Sequence, residues 1–192
     1  MANNNIEIEI KIPLDKGTFV NIKEKLKQIA KFVGKSCQID EYFTPPHKNF
    51  IKPKFPFEWL SIRKRNGRVI LSYKHYYPEN VEAPTHCEEL ETEIESKEQL
   101  ENIFSALNFK KLVTVEKERE VYVSDDGFEI ALDRVKELGN FIEIEATKSF
   151  GSIEETREKL FEFAKNLGVD VSKIDKRGYP FLLMKKKGLI KE

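Results

Sequence analysis

A chain of 192 residues, 40% of them hydrophobic and 34% charged, has enough material for one sizeable core. Its 33 Lys and Arg balance 33 Asp and Glu, so no basic excess points to nucleic acid or an anionic membrane, and any electrostatic function must come from local arrangement. Cys37 and Cys87 lack metal-type spacing, the leader "MANNNIEIEI" has no continuous apolar stretch, and no apolar run approaches the ~20 residues of a membrane span; a reduced, soluble, cytoplasmic protein is the expectation.

The leader gives way to "IEIEIKI", residues 6–12. Extended, this stretch places four isoleucines on one face and Glu7, Glu9 and Lys11 on the other. Asp15 can then cap a helix whose Phe19, Ile22, Leu26, Ile29 and Val33 recur at helical spacing, with Gly34 just past its end. A second helix is predicted from the capping pattern of Ser96 and Gln99, burying Leu100, Ile103, Phe104 and Leu107. A third is predicted from Ser152 and Glu155 through Leu160, Phe161 and Ala164 to Gly168.

Between the helices lie strands. "WLSIRKRNGRVILSYK" carries Asn66-Gly67 and "VYVSDDGFEIALDRV" carries Asp126-Gly127, two hairpin signals. With "CQIDEYF", "CEELETEIES", "VEKEREVYV" and "NFIEIEAT" they make about eight strands, enough to curl into an antiparallel barrel. Residues 44–57, with four prolines, read as a loop over the surface or a mouth. The class expected is α+β, an eight-stranded antiparallel β-barrel with flanking helices, in a single domain spanning residues 1–192.

The alternation of the first strand recurs. Arg63 and Arg65 share a face, and Lys74 falls with Ile70 and Ser72. Glu89 and Glu91 share a face with Cys87 and Glu93; Lys117 and Arg119 alternate with Glu116, Glu118 and Glu120; Asp133 alternates with Ile130 and Leu132; Glu143 and Glu145 alternate with Ile142, Ile144 and Ala146. If the aliphatic faces pack outward against the three helices, the charged faces are expected to point into the barrel, where charges must be paired, hydrated or bound to metal. Arg and Lys complement phosphate oxygens, and clustered carboxylates suit Mg²⁺ or Mn²⁺. A solvated sheet laced with cross-strand salt bridges needs no ligand and stays open as the alternative.

The triplet Glu7-x-Glu9-x-Lys11, "DEYF", Arg63-x-Arg65 followed by Lys74, the strand of Glu89 and Glu91, Lys117-x-Arg119 and "IALDRVKELGNFIEIE" occur in an order and spacing spanning residues 6 to 184. This set resembles the CYTH superfamily, the triphosphate tunnel metalloenzymes, which group class IV adenylyl cyclases with thiamine-triphosphatase-like and inorganic triphosphatases. The resemblance implies an eight-stranded barrel forming a tunnel. In it Arg63, Arg65, Lys74, Lys117 and Arg119 grip a triphosphate, while Glu9, Glu91, Glu143 and Glu145, with Asp133, Glu7 and Glu89, hold one or two Mg²⁺ or Mn²⁺ ions. Lys11, with Tyr42, would act on the attacking water.

The sequence departs from the family pattern at Cys87, where many members carry arginine, and at Gly178 in "GYPFLL", where Tyr179, Leu182 and Leu183 match the family's "SYxxLL". His47, His75 and His86 lack zinc spacing and read as surface or loop residues, Lys176 and Arg177 as an exposed basic pair, and the terminal "KKKGLIKE" as a solvated tail. The implied activity is metal-dependent hydrolysis of a triphosphate such as tripolyphosphate, thiamine triphosphate or ATP. The alternatives are cyclisation of ATP to cAMP and pyrophosphate, and non-catalytic polyphosphate or nucleotide-triphosphate binding. No nucleic-acid or membrane partner is expected, and homodimerisation is left open.

Overall fold

The computed structural model describes residues 6–190. Its elements in chain order are β1 (Ile6–Glu7), β2 (Glu9–Leu14), α1 (Lys16–Ile29), β3 (Lys31–Thr44), β4 (Glu58–Arg65), β5 (Arg68–Tyr77), β6 (His86–Glu93), α2 (Lys97–Ala106), β7 (Lys110–Ser124), β8 (Phe128–Val135), β9 (Gly139–Ala146), α3 (Ile153–Leu167) and α4 (Gly178–Lys186). The hydrogen-bonded order is β1-β6-β5-β4-β3-β7-β8-β9-β2. It begins and ends on two pieces of one N-terminal segment, which is the strand order of an antiparallel barrel. Nine strands replace the expected eight because that segment is interrupted at Ile8.

Of the described residues, one compact unit holds residue 6, Cys37–Glu116 and 177–190, and the other holds Glu7–Ser36 and Lys117–Lys176. In the second unit, α1 starts where the Asp15 carboxylate accepts the Thr18 N–H at 2.9 Å. It stops at Ile29, four residues short of Val33, because Ala30 is already extended and the run that follows joins β3. Phe32 and Val33 suit a strand better than a last helical turn, and Gly34 lies inside that strand instead of ending the helix. The α3 cap forms in full: Ser152 Oγ accepts the Glu155 N–H at 3.1 Å, and Glu155 accepts the Ser152 N–H at 2.7 Å. Gly168 closes this helix at φ 87°, a conformation that glycine adopts without Cβ strain.

Register then decides which side chains this unit buries. Ile10 faces Ile144, Ile12 faces Ile142, and these pack with Ile130 and Leu132 against Phe19, Ile22 and Leu26 of α1 and Leu160 and Ala164 of α3. Each such side chain contributes roughly 1.5–3 kcal/mol by leaving water, so the helices fix which sheet face is apolar.

In the first unit, β4 and β5 meet at the two-residue turn Asn66-Gly67, with φ of 49° and 82°. Both values are positive, as the hairpin turn requires. Ile62 and Phe43 pack with Phe104 of α2, supported by Leu60, Val69 and Leu71. The side chain of Ser96 caps α2 by accepting the Gln99 N–H, but Ile103 and Leu107 are about half exposed instead of buried. The helix offers its sheet the single face of Leu100 and Phe104. Buried Glu41, on the same sheet face as Phe43, is ion-paired to Lys97 and Lys111. The match to "SYxxLL" forms α4, in which Tyr179 and Leu183 are buried.

Candidate functional site

The candidate charged residues of β2, β8 and β9 lie on the sheet face opposite α1 and α3, and those of β4, β5 and β6 on the face opposite α2. In the second unit the odd-numbered residues of β2 and β9 lie on the first of these faces: Glu9 faces Glu145 and Lys11 faces Glu143 across the strands. Neighbouring β8 brings Asp133, with Arg119 of β7 directly opposite it. The result is a buried network. Arg119 donates from Nε to Asp133 Oδ1 at 2.8 Å and from Nη2 to Oδ2 at 2.6 Å, and reaches Glu143 Oε1 at 2.9 Å. Lys117 Nζ stands 3.7 Å from Asp133, and Lys11 Nζ lies 3.1 Å from Glu143 and 3.4 Å from Glu9.

Asp133 is fully buried, and burial alone would raise its pKa, but Lys117 and Arg119 outweigh that and hold the carboxyl below its ordinary range. Strand β7 is charged on both faces, as its sequence implied. Its even-numbered Glu118 and Glu120 pair with Lys35 and Lys23 on the opposite side from Lys117 and Arg119.

The first unit has a parallel construction. Arg63 Nη1 contacts Glu89 and Glu91, each at 2.7 Å, Lys74 Nζ lies 3.5 Å from Glu89, and Ser72 Oγ donates to Glu89 at 2.9 Å. Across β3, Asp40 faces Arg63 and Tyr42 faces Ser61. Arg63 is buried, which would lower its pKa, but Asp40, Tyr42, Glu89 and Glu91 together raise it well above the ordinary value, so the guanidinium keeps its charge. The buried Nε–H groups of Arg63 and Arg65 have no hydrogen-bond partner. A buried donor left unmade costs about 1–3 kcal/mol, so these two atoms call for an acceptor.

The sequence thus located Arg63, Arg65, Lys74, Glu89 and Glu91 on one face of the first unit, and Glu9, Lys11, Lys117, Arg119, Asp133, Glu143 and Glu145 on one face of the second. Glu7 is half-buried in β1 of the second unit. Tyr42 belongs to the first unit, where its ring meets Trp59 edge-on at 5.8 Å. Two supporting residues escape sequence reasoning. Asp40 stands within "DEYF" with nothing to mark its role, and Ser72 gives no sign of holding Glu89, since a lone serine on a strand carries no pattern.

His47 is an exposed turn residue as read, but the other two histidines need correction. His75 and His86 lie half-buried on strands, with the Tyr77 ring stacked on His75 at 4.5 Å and on His86 at 5.6 Å. Their alternation with Tyr77 and across β5–β6 places the three rings on one sheet face. Cys87 is buried opposite Tyr76. Arg177 is half-buried rather than exposed, its guanidinium 4.5 Å from the Phe181 ring centre. Within the terminal segment Leu189 and Ile190 line a cleft instead of trailing in solvent, and Lys191 and Glu192 lie outside the described residues.

Among the described residues, no three His, Cys, Asp or Glu side chains are gathered as a metal-ready cluster. The donor chemistry nevertheless suits a hard divalent cation. Glu145 faces Glu9 on one neighbouring strand and Glu129 on the other, carboxylate oxygens of the kind such a cation takes. Asp133 fits less well, because Arg119 takes both of its oxygens. Among the described residues no helix is long and apolar enough to cross a membrane.

The chain is similar to several known proteins. The chain is 34% identical over 178 residues to the Methanocaldococcus jannaschii protein named "Putative adenylate cyclase MJ0240", covering 91% of this chain and 96% of that one. The solved structure of the PH1819 protein from Pyrococcus horikoshii superposes with a TM-score of 0.79 at 34% identity, covering 94% and 99% of the two chains. Hippeastrum HpAC1, described with a dominant triphosphatase activity, shares the fold at TM-score 0.63 and 19% identity, covering 95% of each chain. The CYTH domain matches residues 5–179, across both units. The chain belongs to the CYTH family.

Proposed function

We propose that this chain is a divalent-metal-dependent phosphohydrolase acting on a triphosphate, with Mg²⁺ or Mn²⁺ as its metal, within a single CYTH domain. The observation that carries the reading is the pair of partnerless, buried Nε–H groups on Arg63 and Arg65, two residues apart on one strand face. Planar guanidinium donors spaced along a strand match a chain of phosphate oxygens better than a single carboxylate. The cationic side chains of Lys74, Lys117 and Arg119 take further phosphate oxygens. Those now paired with carboxylates exchange part of that pairing for phosphate.

Glu9, Glu143 and Glu145 are the carboxylates assigned to the metal, with Glu7, Glu89 and Glu91 as further oxygen donors and Asp133, whose two oxygens Arg119 takes, as the weakest of the set. When bound, the cation offsets charge on the attacked phosphoryl group and its leaving oxygen. The protein's own part is positioning. Lys11, held between Glu143 and Glu9, presents an ammonium donor that orients the attacking water, and the Tyr42 hydroxyl is the second candidate for that water.

The name carried by the Methanocaldococcus jannaschii relative favours a second reading, in which a ribose hydroxyl replaces water and ATP yields cAMP and pyrophosphate. The two differ in product. Tripolyphosphate, thiamine triphosphate and ATP, each incubated with Mg²⁺ or Mn²⁺ and resolved by ion exchange, should release orthophosphate. Formation of cAMP with pyrophosphate would replace the hydrolase by the cyclase. Saturable binding with no product from any substrate would reduce the chain to a sensor.

A further inference from the structure

The first unit has a cleft of about 440 Å³, within the 300–1,000 Å³ typical of small-molecule sites. One wall is the proline-rich segment after β3, with Ile51, Pro53 and Pro56; the other comes from α4 and the residues after it, with Phe181, Leu189 and Ile190. Asn49, Lys52 and Lys54 complete the lining. Their polarity is one-sided. Asn49 Oδ1 already accepts the Ile51 N–H at 3.1 Å, which leaves its amide donors, and the two lysines have only donors to offer.

Among the described residues no carboxylate lines the cleft and neither lysine is ion-paired, Lys54 Nζ standing 5.1 Å over the Phe55 ring, although acids and bases are equal in number in the whole chain. The apolar walls are mainly aliphatic. Arg177 covers one face of the Phe181 ring at 4.5 Å, so the cleft lacks an open aromatic slot for a planar base.

We propose that this cleft is a second ligand site, taking a small anion with an aliphatic body: the acid head meets Lys52, Lys54 and the Asn49 amide, and the hydrocarbon lies between the proline-rich wall and Leu189. Charge complementarity selects the head, and the aliphatic lining selects the body. The site is independent of the triphosphate reading, since none of its residues lies on a charged strand face.

The test is calorimetric titration of the full chain with decanoate, decyl phosphate and decanol, each below its micelle concentration, and with inorganic phosphate. Decanoate or decyl phosphate should bind once per chain, and the preferred one identifies the head group as carboxylate or phosphate. Replacing both Lys52→Gln and Lys54→Gln should weaken that binding by about tenfold or more, the loss expected for charged hydrogen bonds. Leu189→Glu, at an exposed position where folding is not at stake, should abolish it. Decanol and inorganic phosphate, each carrying half the chemistry, should not saturate the site. All of these variants should keep wild-type turnover of tripolyphosphate. Equal affinity for decanoate and decanol, no effect of the lysine substitutions, or no saturable binding by either amphiphilic anion would overturn the proposal.

Discussion

Replacing Asp133 by alanine is the sharpest way to ask whether the charged sheet faces are built or merely solvated. Asp133 is 0% exposed and takes two short hydrogen bonds from Arg119, with Lys117 at 3.7 Å. Its removal leaves two buried cations short of one counter-charge, with Glu143 still 2.9 Å from Arg119. Breaking one side of a buried pair costs about 3–5 kcal/mol. For a chain of this size each kcal/mol moves the melting temperature by about 2–4 °C, so Asp133→Ala should melt about 6–20 °C below wild type.

Asp133→Asn, which keeps the shape and one acceptor, should fall in between. Urea denaturation with fluorescence detection measures the loss. Tripolyphosphate in EDTA should stabilise the alanine variant more than wild type, because Lys117 and Arg119, each having lost one carboxylate, then bind an anion by mass action. A loss under about 1 kcal/mol is what an exposed salt bridge gives, and it would refute the reasoning.

Glu143 and Glu145 are equivalent in the sequence but not in the structure. Glu143→Gln should destabilise the metal-free protein in thermal melting in EDTA, because Lys11 and Arg119 both lean on it. Arg63→Ala and Arg65→Ala should chiefly raise KM for tripolyphosphate, and Lys11→Ala should chiefly lower kcat; a Lys11 effect confined to KM would make it one more phosphate clamp. For pH, burial would raise the Glu41 pKa, but Lys111 and Lys97 overcome it and hold the group below its ordinary value of 4.5. Its stabilisation is therefore complete above that value and lost as pH falls through the lowered folded-state value, so Glu41→Gln should flatten acid unfolding below about pH 4.5. An unchanged acid limb would contradict this.

The two-residue period of the strands makes the charged faces legible in the sequence itself. Once Ile10, Ile12, Ile142 and Ile144 are given to the helices, Glu9, Lys11, Glu143 and Glu145 have only one side left. Caps are equally readable, because Asp15, Ser96 and Ser152 act within three residues of themselves. What the sequence hides depends on partners distant along the chain. The helical spacing of Ile29 and Val33 continues past the end of α1, but the strand beginning at Lys31 ends the helix at Ile29 and takes Val33. Register makes Glu143 a partner of Lys11 and Glu145 a neighbour of Glu9 and Glu129, a distinction that alternation alone cannot draw. The aliphatic cleft joins residues 49–56 to residues 181–190 and leaves no local pattern in either segment.

The central claim is that the charged strand faces bind a triphosphate. It is tested most directly by titrating tripolyphosphate into the protein in EDTA and following heat, for wild type, Arg65→Ala and Arg119→Ala. Wild type should show saturable, salt-sensitive binding that each substitution weakens by about tenfold or more, as expected for losing charged hydrogen bonds to phosphate. Absence of saturable binding, or equal affinity in all three proteins, would contradict it.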